Sequence, residues 1–151
     1  MIHATQIRDR LWIGSHQAYD EVANGNPDNI TAILNVAMDY VPKHTIHPHN
    51  VKYAKINLGD GLDNPQEQID LAVLVGYIYY TNGNNLLIHC ISGVSRSPHI
   101  ATKILLRDDF LFGATYDSIY QEIKYKRPEV QVPSFMDARP ESLKIRMLNE
   151  V

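Results

Sequence analysis

His89-Cys90-Ile91-Ser92-Gly93-Val94-Ser95-Arg96-Ser97-Pro98 is the stretch on which the reading of this chain turns. It follows Leu86-Leu87-Ile88, an apolar run that with His89 reads as a short core strand, and it leads into a helix opened by Ser97-Pro98. A loop between the carboxyl end of a strand and the amino end of a helix turns several backbone N–H groups inward. With the helix dipole behind them, those groups make a pocket for a phosphate dianion. Gly93 lets the loop curl tightly. The same field favours thiolate over thiol at Cys90. Arg96, closing the loop, can grip two phosphate oxygens with its planar fork and stabilise the charge they carry. The bland reading of Cys90 is a buried inert thiol. Such a thiol needs no glycine within its loop, no arginine to close it and no serine-proline helix start, so Cys90 is read as a nucleophile. His89 is expected below the loop, orienting its backbone rather than acting as a general base.

Working outward, the segments on either side alternate between strand and helix. Thr5 to Ile7 and Leu11-Trp12-Ile13-Gly14 read as strands, and a short helix runs from about His16 to the turn Asn24-Gly25-Asn26-Pro27. Thr31-Ala32-Ile33-Leu34-Asn35-Val36 is nearly continuous in apolar and β-branched residues, as suits a strand covered on both faces. Val51 to Asn57 reads as another strand. Between them Val41 to Asn50 has two prolines and no period, and is a loop. Its His44, His47 and His49 lack the carboxylate or cysteine that would complete a familiar metal spacing, so they are read as solvated.

Asn64-Pro65-Gln66-Glu67 carries the cap residue, first-turn proline and acidic third position of a helix start, which predicts a helix from about Pro65 to Tyr80. Ile69, Ala72, Val73, Gly76 and Tyr80 share one face. Leu71, Leu74 and Ile78 are apolar too, which predicts burial on more than one side. From Pro98 onward the chain reads as helical, with breaks near Gly113 and Arg127-Pro128. Tyr116, Tyr120 and Tyr125 look exposed and are read as packing and interface residues rather than substrate contacts. This order predicts an α/β fold with a mostly parallel central sheet flanked by helices.

Composition sets the outer bounds. The 151 residues are expected to form one domain, residues 1–151, and the 44% hydrophobic share suffices for a core. A net charge of -3 gives no bulk positive field, so neither nucleic acid nor a membrane surface is an expected partner, and any phosphate site must be local. A single cysteine makes no internal disulfide and the first residues do not read as a secretion signal, so a cytoplasmic location is expected. No run approaches the roughly 18 apolar residues of a membrane span. The sequence leaves the oligomeric state open.

The stretch from His89 to Ser97 resembles the Cys-x5-Arg-Ser/Thr signature of the cysteine-based protein tyrosine phosphatases, and is most similar to their dual-specificity branch. Leu11-Trp12-Ile13-Gly14-Ser15 resembles that family's opening strand and Ile33-Leu34-Asn35-Val36 its central strand. Arg127-Pro128 with Pro133 and Phe135 resembles its segment after the loop. No kinase-docking domain is expected ahead of it, which makes the chain similar to the small, atypical members. The resemblance implies a phosphatase fold and a phosphocysteine intermediate. It implies phosphate contacts from the backbone of Ile91, Ser92, Gly93, Val94 and Ser95 with Arg96, and no metal or organic cofactor. It also implies an aspartic acid some thirty residues before the cysteine that protonates the leaving oxygen. Asp60, between Gly59 and Gly61 just past a strand, lies at that distance. Asp63 is the competitor, and its place beside Asn64-Pro65 fits helix capping instead. Ser97 can cap its helix, and the family assigns the matching hydroxyl to stabilising the departing thiolate. The uncharged loop interior favours a phosphorylated protein as substrate. Alternatives left standing are a phosphoinositide or an RNA 5′-phosphate, a phosphate-binding pseudophosphatase, and a redox thiol that would lack a resolving cysteine.

Overall fold

The computed structural model describes residues 1–42, 51–60 and 64–131. Five strands, β1 (Ala4–Arg8), β2 (Leu11–Gly14), β3 (Ala32–Ala37), β4 (Lys52–Leu58) and β5 (Leu86–His89), form one sheet in the order β1-β2-β5-β3-β4. Only the β1–β2 pair is antiparallel; β2–β5, β5–β3 and β3–β4 are parallel. The helices are α1 (His16–Ala23), α2 (Gln66–Thr81), α3 (Arg96–Asp109) and α4 (Tyr116–Lys126), with a 3-10 turn at Phe110–Phe112. The expected α/β class and mostly parallel sheet are therefore present.

The strands read as continuous apolar runs because alternate residues serve two cores. Leu11, Ile13, Leu34, Val36, Leu86 and Ile88 point to the face covered by α2, α3 and α4, while Trp12, Ile33 and Leu87 point to the face covered by Tyr19 and Val22 of α1. On α2 the residues expected on one face, Ile69, Ala72, Val73, Gly76 and Tyr80, are the buried ones. The expectation of burial on further sides fails: Leu71, Leu74 and Ile78 are exposed, because helices here cover the sheet in one layer and nothing among the described residues lies outside α2. The deeply buried helix is α3, where every residue from Arg96 to Leu106 is buried. It ends before Gly113, whose left-handed backbone (φ 81°) breaks the chain where expected, and α4 ends at Lys126 with Arg127 as its cap residue. Tyr116 and Tyr120 are core residues, whereas Tyr125 is exposed.

Two expected caps are corrected. Asn64 does not cap α2, whose cap position is Pro65; its side chain instead accepts from the Gly59 N–H (2.8 Å) and donates to the Gly59 carbonyl (3.1 Å). Ser97 does not cap α3 either, because the helix starts one residue earlier, at Arg96. Asp63, the loop histidines His44, His47 and His49, and Pro133 and Phe135 lie outside the described residues.

Candidate active site

Parallel strands deliver their carboxyl ends to one edge of the sheet, the place where open α/β sheets hold ligands. Gly14 and Asn35 flank His89 in register at that edge, and the chain from Cys90 to Ser95 loops from it into α3. The loop is shaped from outside through its carbonyls. The Ile91 carbonyl accepts from the His16 N–H (2.9 Å) and the Val94 carbonyl from the Gln131 N–H (2.8 Å). Arg127 serves the two between them, donating from Nη2 to the Ser92 carbonyl (3.3 Å) and from Nε to the Gly93 carbonyl (2.9 Å). Four successive carbonyls turned outward leave the N–H groups facing the loop's interior. One of them, the Gly93 N–H, already lies 3.2 Å from Cys90 Sγ. Gly93 has φ 72°, and an added Cβ would stand 2.6 Å from Arg127 Nη2 and 2.8 Å from the Gly14 carbonyl.

Cys90 is buried at the floor of this ring, with Ser97 Oγ 3.3 Å from its sulfur. His89 lies beneath. Its Nδ1 donates to the Cys90 carbonyl (3.0 Å), which fixes the neutral tautomer, and its ring sits among Tyr19 and Tyr40. Burial pushes the imidazole down to about 4, so it stays uncharged near neutral pH.

Arg96 is 2% exposed. Its Nη1 donates to Asp39 Oδ1 (2.6 Å) and to the Leu58 carbonyl (2.9 Å), while its Nε has no partner among the described residues. The guanidinium holds the Asp39 carboxyl below the ordinary carboxylate range. Asp60, exposed at the rim, accepts from Ser95 Oγ (3.3 Å). The structure thus gathers Cys90, Arg96, Ser97, His89 and Asp60 at one place. Among the described residues no cluster of three or more histidines, cysteines or carboxylates is spaced for a metal ion, and no helix is long and apolar enough to cross a membrane.

Two residues of this site went unassigned in the sequence. Arg127 reads in the sequence only as a helix break and as part of a likeness. Asp39 follows the most apolar strand of the chain, and a carboxylate just past the end of a central parallel strand was a usable signal.

A buried cysteine at the start of this loop and a buried arginine at its end, on this sheet, fit the cysteine-based phosphatase type of domain. The match of residues 11–138 to the family model of the dual specificity phosphatase catalytic domain then settles membership: the chain belongs to that family. Among curated relatives it is 26% identical to the tyrosine-protein phosphatase vhp-1 of Caenorhabditis elegans over 87% of this chain and 19% of that protein. It is 27% identical to the dual specificity protein phosphatase 12 of Mus musculus over 86% of this chain and 38% of that protein. The chain therefore spans well under half the length of either. The solved structure of human DUSP28 superposes with a TM-score of 0.74 over 97% of this chain and 95% of that one at 16% identity, a likeness of fold.

Proposed function

We propose that this chain is a cysteine-dependent phosphatase acting on phosphotyrosine, and on phosphoserine and phosphothreonine, in proteins. In the first step the Cys90 thiolate attacks phosphorus, the bond to the leaving oxygen breaks, and Asp60 gives that oxygen its proton. In the second, water attacks the phosphocysteine, Asp60 takes the proton, and sulfur departs as thiolate with Ser97 Oγ to stabilise it. Arg96 and the amides of Ile91 to Ser95 hold the phosphoryl oxygens in both. His89 orients the Cys90 carbonyl. The observation that carries this reading is the outward tethering of the loop's carbonyls around a buried sulfur, which aims amides at an oxyanion. A protein substrate is favoured because the loop carries no cation besides Arg96, and the carboxylates of Asp39 and Asp60 at its edge would repel a second phosphate. Residues 1–151 are read as one catalytic domain working in the cytoplasm without metal or organic cofactor.

The test is phosphate release, with chelator present, from phosphotyrosine and phosphothreonine peptides, a phosphoinositide and a triphosphate-ended RNA, for wild type and Cys90→Ser. Turnover of the peptides that vanishes in Cys90→Ser is expected. Activity confined to the lipid or the RNA would move the substrate class; activity that survives Cys90→Ser would remove the nucleophile.

A further inference from the structure

We infer that Asp39 is a positioning residue for Arg96, turning the guanidinium so that its Nε edge, rather than its Nη1, meets the phosphoryl group. This rests on the phosphatase reading above. An arginine fork has two usable faces, and a loop that recognises a phosphoryl group needs one of them presented in a fixed plane. Here the Nη1 end is already committed. Asp39 Oδ1 takes it at 2.6 Å and the Leu58 carbonyl at 2.9 Å, which leaves the Nε edge available, its Nε buried and without a partner among the described residues.

The two acceptors are brought together by the sheet. A register shift between Asn35 and Ala37 sets Ala37 opposite Leu58 at the ends of β3 and β4. The Leu58 carbonyl then accepts from the Met38 N–H (3.1 Å) as well as from Arg96, using both its lone pairs. The turn that follows is built with unusual care for an exposed segment. Asn35, fully buried in the middle of the sheet, accepts from the Ala37 N–H (2.9 Å) and donates to the Tyr40 carbonyl (3.2 Å) and Tyr53 Oη (3.0 Å). From the other side Lys55 Nζ donates to the Ala37 carbonyl (2.7 Å) and to Asn57 Oδ1 (2.8 Å). Asn35 and Lys55 thus fix the backbone on both sides of Asp39. Asp39 itself is 56% exposed, so it contributes little to the core. A carboxylate so placed, bound to the Nη1 end of the fork, acts on the phosphoryl group through Arg96.

Its removal should separate turnover from binding. Without Asp39 the guanidinium keeps only Leu58 at Nη1 and can swing, which costs the alignment needed in the transition state. The lost negative charge at the same time removes a repulsion on the bound dianion. Asp39→Ala should therefore lower kcat about 10-fold on a phosphotyrosine peptide, with KM and the inhibition constant for inorganic phosphate no higher than wild type. Asp39→Asn keeps an oxygen that accepts from Nη1 and should recover most of kcat. The experiment measures kcat, KM, phosphate inhibition and melting temperature for wild type and both variants. Wild-type kcat in Asp39→Ala would overturn the inference. So would an Asp39→Asn as slow as Asp39→Ala, since charge rather than placement would then be at work, or a kcat loss accounted for by unfolded protein alone. A wild type that turns over no phosphoester fails differently, because it overturns the phosphatase reading itself.

Discussion

Replacing Gly93 by alanine separates two costs that the structure places at one residue, and Gly83 supplies the control. Both glycines are left-handed, with φ 72° and 83°, but a Cβ at Gly83 would meet nothing within 4 Å. Gly83→Ala thus measures backbone strain alone, about 1–2 kcal/mol for an L-residue in this region, partly offset by the reduced freedom of the unfolded chain. A net loss of about 1 kcal/mol is expected. At Gly93 the added carbon would stand 2.8 Å from two atoms of the Gly14 backbone and 2.6 Å from Arg127 Nη2. Backbone cannot swing away as a side chain does, and the arginine can yield only by releasing the carbonyl it holds. Overpacking of this kind adds roughly 1–3 kcal/mol, so Gly93→Ala should lose about 2 kcal/mol more than Gly83→Ala. Urea denaturation at pH 7 reads the difference in midpoints at equal slope. Aryl phosphate hydrolysis per folded molecule should fall about 10-fold or more for Gly93→Ala and not for Gly83→Ala. Equal destabilisation of the two variants, with loop activity intact, would refute the claim that Gly93 is pressed between β2 and Arg127.

Arg127→Ala removes donors from the Ser92 and Gly93 carbonyls and from Thr5 Oγ1, and should cost about 3 kcal/mol in denaturation together with most of kcat/KM; wild-type behaviour in both would show the loop holds itself. His89 gives a pH signature. Its folded-state value of about 4 lies below the ordinary 6.5, so the unfolded chain takes up a proton in that interval and the folded chain does not. The resulting stability is fully present above about pH 6.5 and is lost as pH falls towards 4, a difference of about 3 kcal/mol that His89→Asn should lack; parallel pH curves for the two proteins would disprove it. Asp60→Ala should slow a phosphotyrosine peptide about 100-fold, slow a substrate with a very acidic leaving group less, and flatten the alkaline limb of the rate profile. That pattern in Asp63→Ala, with Asp60→Ala near wild type, would move the acid three residues along.

How much could be read in advance depended on how local the cause was. The strands and their two-sided burial were legible because β3 and β5 are apolar on both faces except at Asn35 and His89. The loop from Cys90 to Arg96 was legible because its strand, glycine, arginine and helix start lie within one short stretch. Asp39 and Arg127 were not, since they reach Arg96 and Gly93 across 57 and 34 residues of sequence, and no periodicity encodes which distant strand end or helix end meets the loop. The misreading of α2 has the same root. Leu71, Leu74 and Ile78 look like core residues until it is known that no further layer of the described structure lies over them. Asn64 has the composition of a helix cap, but Gly59 competes for its amide and the backbone of the preceding turn wins.

The tethering of the loop also fixes when in the life of the chain it can exist. Ile91 is anchored by His16, near the amino end, while Ser92, Gly93 and Val94 are anchored by Arg127 and Gln131, far downstream. Synthesis delivers the amino-terminal part first, and contacts between distant residues close late because their loop entropy must be met before they form. The sheet and α3 can assemble while the last of these anchors is still to be made. The amide ring around Cys90 is therefore among the final features to set, and the Cys90 sulfur acquires its surroundings only once residue 131 has arrived.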